Sequence, residues 1–473
     1  MAARANAVVR NPIAQIARGL IVLLVLALLM TVIAPARSAR ASVGEYEGVL
    51  DNGAAWRAVV PDDWNGTLLL YSHGYVPTFV PIPNDAQVAP DADTEAALLD
   101  EGYALAGSSY AAAGWALDTA AQDQLDTLQA AVATIGVQPR RVLAVGTSMG
   151  GLVTGQLAET AGDVIDGALP TCGLMQGGVD LNNYQLDGEH AIDQLLAPDS
   201  DIQLVDYADA SEAFAAVDAL SAAVEQAQQT PEGRARVALA AALFHAPDWR
   251  PGADEPAPWD VDARQQAQYE YLLAMLGFVV PARVDIETTA GGNASWNAGV
   301  SYRALLRQSV DRAGVVALYR DAGLDLRADL DKLTTTAEVV PDQDALRELR
   351  RTSTLSGDLQ VPVLSVHTTD DQLAPVQVQE EYAEDVRRAG DRRLLRQAYV
   401  ARPGHCAFTS AELVTAVHVL HRRVVTGHWS ATTASALNRK ATRLELGDAA
   451  FVPYWPGEFL ADRRWRPRRH GGP

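Results

Sequence analysis

The sequence predicts an α/β protein, a mostly parallel sheet flanked by helices, from three observations. Short runs that are apolar on both faces recur along the chain, as buried parallel strands require. Helical periodicity fills most of the intervals between them. One long interval, residues 173–360, breaks the alternation and reads as mostly helical.

At the start, residues 1–41 carry Arg4, Arg10 and Arg18, then an uncharged apolar run over 19–34, then Pro35 and the small-residue triplet Ala39-Arg40-Ala41. This is the layout of a secretory signal peptide, and its apolar run falls short of the roughly 20 residues that span a bilayer. Export with cleavage after Ala41 is expected, by the general secretion route, since the segment has no twin arginine. Residues 46–60 then read as strand, Asn52-Gly53 turn, strand. The apolar runs at 67–72 (TLLLYS), 103–108 (YALAGS), 141–145 (RVLAV), 167–171 and 361–367 (VPVLSVH) are the expected parallel strands. Helices are expected over 91–101, 119–135, 149–161 and 410–425.

Inside the long interval, Thr230-Pro231-Glu232 opens a helix running to His245, with N-cap, first-turn proline and early acid in the expected order. Further helices are expected near 260–277, 300–312 and 341–351. An interval of this length is no loop. It reads as a helical cap over the carboxyl ends of the strands, the edge where open α/β sheets bind ligands. The expected partition is a signal peptide at 1–41, a core made of 42–172 and 361–455, the cap at 173–360 and a basic tail at 456–473.

The composition, 48% hydrophobic and 21% charged, supplies a large core. Lys+Arg 38 against Asp+Glu 59 gives a net charge of −21, which argues against nucleic acid as a partner. Arg463, Arg464, Arg466, Arg468 and Arg469 read as a solvated end. The two cysteines, Cys172 and Cys406, make one bridge or none, in an exported region where oxidation permits it.

The chemistry centres on Gly146-Thr147-Ser148-Met149-Gly150-Gly151, which stands at the end of a predicted strand and opens a helix. In this G-x-S-x-G context the turn is so tight that side chains two residues either side of the serine would clash, and the serine is presented above the sheet. A serine hydroxyl needs a base, and the base an orienting acid, here expected in the order Ser, acid, His. The strand VPVLSVH runs into Thr368-Thr369-Asp370-Asp371-Gln372-Leu373-Ala374-Pro375. Asp371, with three residues between it and Pro375, is the expected acid; Asp370 is the alternative. Arg402-Pro403-Gly404-His405-Cys406 forms a loop before the last expected helix, making His405 the expected base. The oxyanion donors are expected to be the backbone N–H groups of Met149, after the serine, and of Tyr75, in the loop Ser72-His73-Gly74-Tyr75. His73 then braces that loop. His418 and His421 have metal-compatible spacing but no third ligand beside them, so no metal is expected.

These residues resemble the α/β-hydrolase superfamily along the whole chain beyond the signal peptide. Within it, the segments TPEGRARVALAAAL, ASWNAGVSY, LYRDAGLDLRADLD, VPVLSVHTTDDQLAPVQVQEEY and PGHCAFTSAE are similar to those of bacterial phthalyl amidases and their secreted relatives. The resemblance implies cofactor-free serine hydrolysis of a small-molecule ester or amide, with an acyl group bearing a carboxylate, and no membrane partner once the signal is cleaved. Such a carboxylate needs an arginine; Arg402 and Arg303 are candidates, with a surface ion pair as the favoured reading of each, and Trp115 and Trp296 are candidate pocket walls, with core packing the alternative. Lipases, polyester hydrolases and aminopeptidases reuse the same constellation, as does a binding protein that keeps the scaffold without the chemistry. One departure stands out. In the tannase and feruloyl esterase arrangement that these amidases resemble, a cysteine just before the serine bridges the one after the histidine, whereas this chain has Thr147. Cys172, ending the next strand, is the alternative partner for Cys406, with the pairing left open.

Overall fold

The structure is a computed structural model describing residues 43–460. The expected signal peptide and its cleavage site, and the arginines from 463 to 469, lie outside the described residues. Among these residues no helix is long and apolar enough to cross a membrane.

Nine strands form one sheet in the order β1-β2-β4-β3-β5-β6-β7-β8-β9. The first two, β1 (Val43–Val49) and β2 (Ala55–Pro61), make the antiparallel hairpin around Asn52-Gly53, where Asn52 Oδ1 accepts from Ala54 N at 3.1 Å. The centre is parallel: β3 (Thr67–Ser72), β4 (Ala104–Ser108), β5 (Arg141–Thr147), β6 (Gly167–Thr171), β7 (Val363–Asp370) and β8 (Leu395–Pro403). A short β9 (Phe451–Val452) pairs antiparallel with β8. Every residue of β3, β4 and β6 is buried, which is why these strands read as unbroken apolar runs.

Helices cover both faces. Leu68 and Leu70 of β3 point into the cluster containing Leu128 of α2 (Ala120–Ile135) and Leu152 of α3 (Met149–Thr160). Leu69 points the other way, into the cluster with Leu98 of α1 (Ala92–Asp100) and Val414 of the C-terminal helix Ser410–Thr426. A strand's alternation thus fills two cores at once.

Between β6 and β7 lie eight helices: α4 (Gly177–Leu196), α5 (Ala210–Ala227), α6 (Pro231–Leu243), α7 (Val261–Ala290), α8 (Tyr302–Gln308), α9 (Arg312–Asp321), α10 (Leu326–Thr336) and α11 (Gln343–Ser353). After β7 come α12 (Val378–Ala389), α13 (Ser410–Thr426) and α14 (Ala434–Thr442). The insertion shares one continuous apolar cluster with the core. Two differences from the sequence reading have clear causes. Helix α7 runs 30 residues, well past the expected stop near 277, because Pro281 sits inside it among buried Val279, Val280 and Ala282; tertiary packing outweighs the hydrogen bond that a mid-helix proline removes. Helix α4 shows no apolar stripe because it is buried on nearly all sides, with Asn182, Asn183, Asp187, Glu189 and His190 inside. Its Glu189 meets Arg283 of α7 at 3.3 Å, both side chains fully buried, locking the two helices together.

Within the first residues of the expected tail, Phe459 and Leu460 are buried. Phe459 stacks on His245, and Leu460 N donates to His245 Nε2 at 3.2 Å. Burial pushes the His245 imidazole down to about 3, which keeps it a neutral acceptor.

Candidate active site

The turn from β5 into α3 holds Ser148 at φ 60°, ψ −122°, a conformation that a residue with a Cβ adopts only where its surroundings enforce it. They do so through glycines. A Cβ on Gly146 would lie 2.0 Å from Gly150 O, and one on Gly150 would lie 2.0 Å from Ser72 O. Ser148 N also donates to Thr171 O of β6 at 3.0 Å. The strained turn is therefore clamped from both neighbouring strands.

Ser148 Oγ lies 2.8 Å from His405 Nε2, and His405 Nδ1 lies 2.8 Å from each oxygen of Asp371. Asp371 Oδ1 also accepts from Leu373 N at 2.9 Å and Ala374 N at 2.8 Å. Burial alone would raise this carboxyl, but the His405 and His367 rings and the backbone amide of Ala374 outweigh it and hold it below the usual carboxylate value. An ionised acid is thus aimed at Nδ1, leaving Nε2 free to accept the serine proton.

His367, behind Asp371, escaped the sequence reading. Its Nε2–H donates to Ala374 O at 2.8 Å, its Nδ1 accepts from Gln379 Nε2 at 3.0 Å, and burial lowers its pKa. Its Nε2 lies 3.6 Å from Asp371 Oδ2. The only sequence signal was its position four residues before the acid. Asp370 points elsewhere: its carboxylate accepts from Thr369 Oγ1 at 2.7 Å, and burial, followed by the neighbouring Asp248 and Glu255, pushes it up to about 7.

The His405 loop is braced by Gly404 N donating to Asp370 O at 2.9 Å, Thr368 Oγ1 donating to Gly404 O at 3.0 Å, and a disulfide joining Cys406 to Cys172 at the end of β6. Both cysteines sit at positive φ, 44° for Cys172 and 55° for Cys406.

On the opposite side, the loop after β3 passes directly over the serine. A Cβ on Gly74 would lie 3.3 Å from Ser148 Cβ, a tight contact that the glycine avoids as the backbone passes the serine. His73 braces the loop, with Nδ1 2.7 Å from Gly74 O and its ring stacked on Tyr110 at 4.1 Å. Tyr75, the next residue, stands at this turn. The Met149 N–H is in the first turn of α3, where helical geometry offers no acceptor.

Other candidates have different work. Arg402 is committed to buried Glu412 at 2.5 Å and to Ala407 O at 2.8 Å, and Arg303 pairs with exposed Asp331. Trp115 and Trp296 are buried within the large apolar cluster, and Arg350 lies over the Trp296 ring. His421 lies between Tyr103 Oη at 2.9 Å and Thr67 Oγ1 at 3.2 Å, while His418 faces Glu101 at 3.5 Å.

Strand order, elbow and inserted helices together give the α/β-hydrolase fold. The chain is 28% identical over 467 residues to o-phthalyl amidase of Xanthobacter agilis, a likeness covering 92% of this chain and 99% of that protein. No protein-family model matches. Similar solved structures include feruloyl esterase B from Aspergillus oryzae (TM-score 0.41, 14% identity, 84% of this chain and 85% of that one). Another is proline iminopeptidase of Mycobacterium smegmatis (TM-score 0.34, 14% identity, 82% and 100%).

Proposed function

We propose that the chain is a secreted serine hydrolase that cleaves carboxylic esters or amides through an acyl-enzyme, with an aryl acyl group bearing a carboxylate as its substrate class. The observation that carries this reading is the unbroken relay from Ser148 Oγ through His405 to Asp371 at an enforced elbow. As Ser148 Oγ attacks the carbonyl carbon, His405 Nε2 takes its proton and the Asp371 carboxylate stabilises the imidazolium. The Met149 and Tyr75 N–H groups hold the oxygen that becomes negative. Collapse breaks the bond to the leaving alcohol or amine, which receives the proton from His405. Water, deprotonated by the same nitrogen, then releases the acid and restores Ser148. The acyl preference rests on the likeness to o-phthalyl amidase.

The test is a matched pair, a phthalyl ester and the corresponding phthalyl amide, offered to the purified protein and to Ser148→Ala. Cleavage of both, lost in the variant, supports the full reading. Cleavage of the ester alone restricts it to an esterase, and cleavage of neither overturns the acyl class.

A further inference from the structure

Helix α7 belongs to the insertion, yet one of its carboxylates is bound to the loop that crosses Ser148. Asp285, 7% exposed, accepts from the Tyr75 hydroxyl, from the Thr78 hydroxyl and, at 3.1 Å, from Thr78 N. Three donors from a four-residue stretch thus converge on one carboxylate, and hydrogen bonds to an ionised acceptor are about twice as strong as neutral ones. Burial and the Asp285 charge raise the Tyr75 hydroxyl well above its ordinary value, so it stays a donor at any working pH. The Tyr75 ring is also held edge-on by Phe278, 6.0 Å away and two turns earlier on the same face of α7. Between these contacts, Val76 pairs with Gly114, whose N donates to Val76 O at 2.8 Å. A Cβ on Gly114 would sit 3.5 Å from the Asp285 carboxyl carbon, so the carboxylate is seated against that strip of backbone too.

We propose that Asp285 is a positioning residue: it sets the direction of the Tyr75 N–H towards the oxyanion and thereby couples the insertion to catalytic power. This rests on the reading of Tyr75 N–H as an oxyanion donor. A donor aimed at developing charge is sensitive to placement, since removing one costs about 100- to 1,000-fold and a shift of about 1 Å can cost about 100-fold. Asp285 makes no contact with the reacting atoms, so its loss should lower kcat and leave KM in place.

The experiment measures kcat and KM on a p-nitrophenyl ester for Asp285→Ala, Asp285→Asn, Tyr75→Phe and Asp285→Ala/Tyr75→Phe. Rates of the Asp285 and Tyr75 variants are divided by active sites titrated with a fluorophosphonate, so that unfolded protein does not count, and that of Ser148→Ala by total folded protein. The expected result is a fall in kcat of about 10- to 100-fold for Asp285→Ala, with KM within about threefold of the parent. Asp285→Asn, which keeps one acceptor oxygen, should recover part of the loss, and the double variant should be no worse than Asp285→Ala. A kcat within threefold of the parent, a loss confined to KM, or losses that multiply in the double variant would each overturn the proposal. Ser148→Ala, run alongside, separates the two levels. If it stays active, the serine reading fails; if it is inactive while Asp285→Ala is unimpaired, only the positioning role fails.

Discussion

Replacing both Cys172 and Cys406 with serine should weaken the fold strongly and the catalysis moderately. The bridge closes 234 residues of chain, including the whole insertion. The chain-entropy relation for a loop of that length gives about 5.5 kcal/mol of lost stability, with native-state and denatured-state effects able to reduce it. The catalytic effect is smaller because the bridge is not the only restraint on the base. Cys406 follows His405, with Sγ 3.4 Å from Nε2, but Gly404 N still donates to Asp370 O and Arg402 to Ala407 O when the bridge is gone. A drop in kcat of about tenfold is expected, from a loosened rather than a displaced imidazole. Urea unfolding of the double variant, and of the parent treated with a thiol reductant, should give the same lowered midpoint, with ester hydrolysis measured on both. If neither the midpoint nor kcat moves, the bridge does not hold the His405 loop to β6.

Gly74→Ala should fold with a stability change of about 1 kcal/mol or less, because its methyl meets only contacts of 3.3–3.8 Å. It should nevertheless lose activity, since that methyl lies 3.8 Å from Ser148 Oγ; melting curves beside ester kinetics test the split. Gly150→Ala, whose methyl would lie 2.0 Å from Ser72 O, should fail to fold or melt far lower. Asp371→Asn should lower kcat by about 1,000- to 10,000-fold, whereas Asp370→Asn should keep it within threefold. The two variants should also part in their pH profiles. The Asp371 carboxyl, held below its unfolded value of 3.8, adds stability that is present above that pH and lost as pH falls through the folded value, so Asp371→Asn removes it. Asp370, raised to about 7, costs stability increasingly from pH 3.8 to 7, so Asp370→Asn should melt higher than the parent at pH 8 and equally near pH 4.

What the sequence made legible is what neighbouring residues determine. The G-x-S-x-G turn announces itself because Gly146 and Gly150 are demanded by contacts within a few residues and one adjacent strand. Asp371 and His405 were readable from chain order and from their places on loops after strands. What stayed hidden depends on the third dimension. Tyr75 and Asp285 are 210 residues apart, and nothing local marks Asp285 as the partner of the β3 loop. Its helix runs past the expected end near 277 and through Pro281, a local stop signal that burial overrides. His367 looked like the end of an apolar strand, and only the fold turns it into a neighbour of Asp371. Arg402, three residues from His405, was open to a ligand contact or an ion pair, and it pairs with Glu412, which the capping box of α13 fixes, a partner that spacing alone does not name. The pairing of Cys172 with Cys406 follows from β6 lying beside β7, and β7 beside β8, an order that spacing alone does not give.

Covalent labelling addresses the central claim most directly: that Ser148, activated by His405, is the nucleophile. The protein is treated with a fluorophosphonate, its intact mass is read, and the modified peptide is mapped. The account predicts one adduct per chain, on Ser148, with matching loss of ester hydrolysis and no adduct on Ser148→Ala or on His405→Ala over the same period. Labelling at another residue with loss of activity, or full hydrolysis by Ser148→Ala, would contradict it.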